Sequence, residues 1–64
     1  MMTLKELRKF KGVSQQKLAK IAGISQSYIA SMELGQLKNP SQAIIKKLAQ
    51  ALEVSLTEIM SCFP

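Results

Sequence analysis

The stretch from Gln15 to Leu34 reads QQKLAKIAGISQSYIASMEL, and it contains two amphipathic helical patterns separated by a single glycine, Gly23. Two packed helices need apolar or small residues where they touch, and a sharp bend needs a residue that tolerates positive φ. The residues expected at this contact are Leu18, Ala19, Ile21 and Ala22 in the first helix and Ile24, Ile29 and Met32 facing them. Gly23 supplies the bend, and Ser25 suits the cap of the second helix. The stretch therefore predicts a helix-turn-helix.

The rest of the chain predicts three more helices around this motif. Thr3 with Glu6 and Ser55 with Glu58 have the spacing of capping boxes. Between these two boxes, a helix is expected to open at residues 39–42, capped by either Asn39 or Ser41. The five expected helices run from Thr3 to about Lys11, over 15–22, over 26–34, from residues 39–42 onward, and from Ser55 to about Ser61.

Apolar periodicity predicts which faces of the outer helices are buried. The expected buried positions are Leu4, Leu7 and either Phe10 or Lys11 in the first helix, and Ile44, Ile45, Leu48, Ala49 and Leu52 in the fourth. No linker, repeat or low-complexity stretch divides the 64 residues. We therefore expect one compact all-α domain over residues 1–64.

Composition narrows the class of partner. Nine Lys and Arg against four Asp and Glu give a formal net charge of +5 and a pI of about 9.7. This excess favours a polyanionic partner, although charge alone fits a solvated basic surface equally well. The sequence has no apolar run near the roughly 20 residues of a membrane span and no signal-peptide pattern, so a cytoplasmic location is expected.

The inventory of reactive side chains predicts a protein that is not an enzyme. The chain has no His, a single Cys at position 62, four scattered carboxylates and no glycine-rich phosphate loop. These residues offer no catalytic constellation, no zinc site and no internal disulfide. We expect no cofactor, no metal and no small-molecule ligand.

Four segments carry a resemblance to a known family. They are SQQKLA at 14–19, AGIS at 22–25, MELG at 32–35, and NPS at 39–41 with the run LAQALEV at 48–54. Together they resemble the phage repressor and Cro family of helix-turn-helix proteins, also called lambda-repressor-like or Xre-like domains. The resemblance covers nearly the whole chain. It implies a five-helix DNA-binding domain whose second and third helices form the helix-turn-helix, in a prokaryotic or phage-encoded regulator of transcription.

In the helix-turn-helix docking mode, the third helix enters the major groove and its N-terminal residues face base edges. The predicted base contacts are Gln26, Ser27, Tyr28 and Ser31, while Ile29, Ala30 and Met32 are expected on or near the core-facing side. Gln26 is the best candidate for a specific contact, because glutamine pairs bidentately with adenine. The alternative is a solvated polar face whose residues serve only for capping.

Four residues are predicted to contact DNA phosphates. Gln15 and Gln16 begin the second helix, where the amides and the helix dipole favour an anion. The resemblance implies a backbone contact for Gln15, and it implies phosphate contacts for Lys38 and Asn39 on the other side of the groove. It also implies that Arg8 pairs with Glu33 as a structural ion pair; the alternative is two unrelated surface charges worth roughly 0 to 1 kcal/mol.

The expected mode of action is a homodimer on a pseudo-palindromic operator in double-stranded DNA, because one subunit reads few bases. A dimer would place two recognition helices roughly 34 Å apart. The expected interface is formed by Leu56, Ile59, Met60 and Phe63, although the same residues could equally close the monomer's core. The alternative function is a protein-interaction module that uses the same helical bundle without specific DNA binding.

Overall fold

A computed structural model describes residues 2–37 and 40–63, and within them the chain forms five α-helices. The helices are α1 (Leu4–Phe10), α2 (Gln15–Ala22), α3 (Gln26–Glu33), α4 (Gln42–Leu52) and α5 (Leu56–Met60). The all-α prediction and the five expected helices are confirmed, and each boundary that the sequence predicts lies within a residue or two of the observed one. The longest helix has 11 residues, and no helix in the described part of the chain combines the length and apolar character needed to cross a membrane.

Each helix begins at a hydroxyl side chain that accepts a hydrogen bond from an amide in the first turn. The caps are Thr3, Ser14, Ser25, Ser41 and Ser55. Ser41 caps α4 by accepting from the Ile44 amide at 3.3 Å, and Asn39 lies outside the described residues. These contacts satisfy amide groups that the helix itself leaves without partners.

The two predicted capping boxes differ. At α1, Thr3 Oγ1 accepts from the Glu6 amide at 3.1 Å and Glu6 Oε1 accepts from the Thr3 amide at 2.8 Å, so that box is complete. At α5, Ser55 Oγ accepts from the Glu58 amide at 3.1 Å. The Glu58 carboxylate instead accepts a 3.4 Å hydrogen bond from the Ser55 hydroxyl, so the second box is only half formed.

The C-terminal caps of two helices are residues in the left-handed conformation. Gly23 closes α2 with φ +72° and produces the bend of the helix-turn-helix, as its sequence position predicts. Glu53 closes α4 with φ 56° and ψ 47°, a conformation that costs any residue with a Cβ atom. Nothing in the sequence pattern marked Glu53, because glutamate is an uncommon choice at this position.

The core lies where the five helices meet. Helix α4 packs on α2 and α5, and α2 packs on α3. The largest fully buried side chains are Leu18, Ile29, Leu48, Leu52 and Ile59. Ile44 and Ile45 are half-buried and pack against this cluster. Through these contacts, α2 and α3 are packed against each other and against the rest of the domain.

Two positions expected in the core are instead exposed, Ile21 and the one assigned to either Phe10 or Lys11. Ile21 is 52% and Phe10 is 72% exposed, and Lys11 is exposed as well. On α2, the buried side chains of Leu18, Ala19 and Ala22 share one face, and Ile21 lies about 110° from the centre of that face. On α1, the buried stripe continues from Leu4 and Leu7 to Arg8, a charged residue that a pattern of apolar side chains does not include.

Candidate nucleic-acid interface

Helix α3 packs its apolar side against the core. Its outer side is a polar arc without charged residues, formed by Gln26, Ser27 and Ser31. Ile29 and Met32 are buried, whereas Gln26 and Ser27 are exposed and Ser31 is half-buried. Because successive residues are about 100° apart around a helix, Ser27 and Ser31 lie opposite the buried side. The cap of the helix is Ser25, whose Oγ accepts from the Tyr28 amide at 3.0 Å. Capping therefore accounts for Ser25 but not for Gln26 or Ser27.

Ala30 lies differently from its predicted position, and Tyr28 is partly covered by the core. Tyr28, a predicted base contact, is half-buried and packs partly against the core. Ala30 was expected near the core, but it is half-buried and lies on the outward arc, one turn after Gln26. The spacing of four residues from Gln26 was the signal that would have placed Ala30 there. A methyl group at this position can contact a thymine methyl in the major groove.

The last residue of α3 is anchored to α1. Arg8 donates from Nε to Glu33 Oε2 at 2.7 Å and from Nη2 to Glu33 Oε1 at 3.2 Å. Its Nη1 also donates to the Val13 carbonyl at 2.9 Å. The two side chains are 8% and 4% exposed, so the pair is buried rather than solvated. The expected pairing of Arg8 with Glu33 is thus present in the structure.

The environment of Glu33 stabilises its charged form. Burial alone raises the pKa of Glu33, but the hydrogen bonds from Arg8 and Gln15 and the positive charge of Arg8 outweigh it. The pKa of Glu33 therefore lies below the usual range of a glutamate. The anchor of α3 is a carboxylate at neutral pH.

The start of α2 lies beside this anchor. Gln15 is half-buried and donates from Nε2 to Glu33 Oε1 at 2.9 Å, while Gln16 is exposed. Ser14 Oγ accepts from the Lys17 amide at 3.0 Å, so one amide of the first turn is already satisfied. Lys38 and Asn39, the other two predicted phosphate contacts, lie outside the described residues.

The described lysines lie outside α3. Helix α3 contains no Lys or Arg. The described lysines are all exposed and stand on other helices or next to them: Lys5, Lys9, Lys11, Lys17, Lys20, Lys46 and Lys47. Exposed lysines on α1 and α2, the helices that contact α3, are a suitable source of charge for binding phosphates.

The predicted interface residues occupy three different environments. Ile59 is 0% exposed and belongs to the core, so its predicted place in a dimer interface is wrong. Phe63 is half-buried and packs against the same core. Leu56 and Met60 are 45% and 56% exposed and line a shallow groove between α4 and α5, together with Ile45, Gln42 and Lys46.

A family model described as Helix-turn-helix matches residues 4–59 of the chain. The HTH-type transcriptional regulator SlrR of Bacillus subtilis is 46% identical over 52 residues, which are 81% of this chain and 34% of SlrR. The HTH-type transcriptional regulator SinR of Bacillus subtilis is 37% identical over 57 residues, 89% of this chain and 51% of SinR. The chain thus spans about a third to a half of the length of these regulators.

Two solved structures share the fold. SinR in complex with DNA superposes with a TM-score of 0.84 at 37% identity, covering 89% of this chain and 90% of that one. The restriction-modification controller protein C.AhdI from Aeromonas hydrophila superposes with a TM-score of 0.82 at 45% identity, covering 88% and 83%. By sequence and by fold, this chain belongs to the lambda-repressor-like, or Xre-like, family of helix-turn-helix proteins.

Proposed function

We propose that this protein is a sequence-specific regulator of transcription that binds double-stranded DNA by inserting α3 in the major groove. The observation that carries the proposal is the uncharged polar arc of α3, which is exposed at Gln26 and Ser27 while the end of the helix is anchored by Arg8 and Glu33. A rigidly held helix with hydrogen-bonding side chains on its outer face is what direct readout of base edges requires. Tyr28, Ala30 and Ser31 complete the proposed contact surface.

The proposed phosphate contacts flank this surface. Gln15 and Gln16 lie at the start of α2, next to the anchored end of α3. Lys38 and Asn39 are proposed on sequence grounds alone, as the contacts on the far side of the groove. The exposed lysines of α1 and α2 add a sequence-independent attraction to the DNA backbone.

We propose further that the protein binds as a homodimer on a pseudo-palindromic operator. The groove between α4 and α5 exposes Leu56 and Met60 beside half-buried Ile45. Its proposed occupant is the same groove of a second copy, because a two-fold interface places a patch against itself. Two coupled half-sites then supply the affinity that one short recognition helix lacks. The corrected interface is Leu56 and Met60, with Ile59 left in the core.

The comparisons support a regulator of this kind. SlrR and SinR carry the name of transcriptional regulators, and one solved structure of SinR is a complex with DNA. C.AhdI is named as a restriction-modification controller. We propose that this chain acts in the same way, as a repressor or a controller protein.

Selection from a random duplex library tests the proposal. Duplexes retained by the purified protein are sequenced, and the affinity for the enriched duplex is compared with that for a scrambled duplex of the same composition at 50 and about 200 mM salt. We expect an enriched, pseudo-palindromic sequence whose binding weakens steeply as salt rises. A protein that shows no preference for any duplex would contradict the proposal and favour the protein-interaction module.

A further inference from the structure

Glu33 accepts hydrogen bonds from side chains of two other helices. Arg8 of α1 reaches both carboxylate oxygens, at 2.7 Å and 3.2 Å. Gln15, the first residue of α2, donates from Nε2 to Oε1 at 2.9 Å. The carboxylate that ends α3 therefore binds a side chain at the start of α2, which is the proposed phosphate-contacting end of that helix.

This hydrogen bond decides which way the Gln15 amide faces. An ionised carboxylate only accepts hydrogen bonds, so Gln15 must present its NH₂ group to Glu33 and not its carbonyl oxygen. One of the two Nε2 hydrogens is used in this contact. A phosphate oxygen also only accepts, and the second Nε2 hydrogen is the donor that Gln15 has left to offer it.

We infer that Glu33 is a positioning residue for DNA binding, which acts by holding the Gln15 amide with its donor side available to a backbone phosphate. The inference rests on the proposed function, because Gln15 can meet a phosphate only if the protein binds DNA as proposed. Without Glu33, the amide can turn over and set its carbonyl oxygen against the phosphate, where two acceptors repel each other. Arg8 offsets the negative charge that Glu33 would otherwise direct at the DNA.

A double-mutant cycle on DNA affinity tests this inference. Affinities for the selected duplex are measured for wild type, Glu33→Gln, Gln15→Ala and the double variant. We expect Glu33→Gln to weaken binding about threefold to tenfold when Gln15 is present, which is the scale of one hydrogen bond. In the Gln15→Ala background, the same change is expected to have no further effect.

The cycle separates positioning from a general structural role. If Glu33 only holds α3 in place, Glu33→Gln weakens binding by the same factor in both backgrounds, and the inference is overturned. The matched control is Gln16→Ala, because Gln16 is the exposed neighbour of Gln15. The effect of Glu33→Gln should persist in full in that background.

A spectroscopic measurement on the wild-type protein does not depend on the stability of any variant. In ¹⁵N-labelled protein without DNA, we expect one Gln15 side-chain NH₂ proton to be shifted downfield relative to those of exposed Gln16, as a hydrogen-bonded proton is. Adding the selected duplex should shift the other Gln15 proton. Gln15 protons that match those of Gln16 in free protein would show that the bond to Glu33 does not form in solution.

The outcomes distinguish failure of this inference from failure of the proposed function. If wild type binds a specific duplex and Gln15→Ala binds it equally well, the function stands and the positioning role is wrong. If wild type prefers no duplex, the proposed function fails, and the positioning role fails with it even where the free protein shows the hydrogen bond.

Discussion

Arg8 and Glu33 form a buried, bidentate ion pair that joins α1 to the last residue of α3, with Arg8 Nε and Glu33 Oε2 2.7 Å apart. The arginine also binds the Val13 carbonyl at 2.9 Å, so its position is fixed by the loop before α2 as well. This pair and the apolar contacts of Ile29 and Met32 determine how α3 is presented to the outside. The geometry of the proposed reading surface therefore depends on residues that lie outside that surface.

Removing one partner of this pair should destabilise the domain strongly. We expect Arg8→Met to lower the free energy of unfolding by about 3 to 5 kcal/mol, because it leaves the Glu33 carboxylate buried without its counter-charge. Urea denaturation followed by circular dichroism measures the change. The double variant Arg8→Met, Glu33→Leu should recover most of the loss. A single-variant effect below about 1 kcal/mol would mean that the pair behaves as a solvated surface pair.

The lowered pKa of Glu33 predicts that the folding stability of the domain depends on pH. The pKa of Glu33 is depressed in the folded protein, so its contribution is complete above the unfolded-state pKa, about 4.3 for a glutamate. The contribution is lost as pH falls through the lower folded-state pKa. We expect wild type to lose more stability than the double variant Arg8→Met, Glu33→Leu between pH 5 and about pH 2. Glu6, whose pKa is also lowered by its hydrogen bonds to Thr3, is present in both proteins and cancels. Parallel pH profiles for the two proteins would contradict the assignment.

Replacing Glu53 with glycine should make the folded domain more stable. A left-handed conformation costs an L-residue with a Cβ about 1 to 2 kcal/mol. Glycine removes this cost, but it also makes the unfolded chain more flexible, which offsets about 0.4 to 1 kcal/mol of the gain in stability. We expect Glu53→Gly to stabilise the domain by about 0.5 to 1 kcal/mol, measured by thermal unfolding. Glu53→Ala is the control for charge, because it keeps the strained backbone. An equal gain in both variants would assign the effect to the carboxylate instead.

The groove between α4 and α5 gives a prediction for assembly. Leu56→Glu and Met60→Glu place charges on exposed positions, so they should leave the monomer folded and shift sedimentation from dimer to monomer. Thr57→Glu, an exposed neighbour on α5, should change neither. Ile59→Ala should instead cost about 2 to 5 kcal/mol of folding stability, since Ile59 is fully buried. A Leu56→Glu protein that sediments like wild type would rule out this groove as the dimer interface.

The sequence predicts the local features of this fold well. The caps at Thr3, Ser25 and Ser55 and the bend at Gly23 depend on residues close together in sequence, and each is found at its expected place. The exception is the cap of α4, for which two neighbouring residues were equally suitable. The same locality explains why Leu18, Ile29 and Leu48 could be assigned to the core from periodicity.

The sequence does not predict burial at the edges of an apolar stripe, because a neighbouring helix determines which of those side chains are covered. Periodicity alone cannot show that Ile21 lies beyond the edge of the α2–α4 contact, or that Ile59 fills the core while Met60 next to it does not. The bond between Gln15 and Glu33 joins residues 18 positions apart, and no local pattern reports it. Arg8 and Glu33 were paired only through the family resemblance, because charge alone does not reveal burial.

The dependence of sequence preference on the outer face of α3 shows whether this helix reads the DNA. The affinity ratio between the selected and the scrambled duplex is measured for wild type, for the double variant Gln26→Ala, Ser27→Ala, and for the control Gln50→Ala, an exposed glutamine on α4. We predict that the double variant keeps its salt-sensitive binding to both duplexes but loses the preference, while the control keeps the wild-type ratio. A double variant that discriminates between the two duplexes as well as wild type would contradict the assignment of α3 as the reading helix.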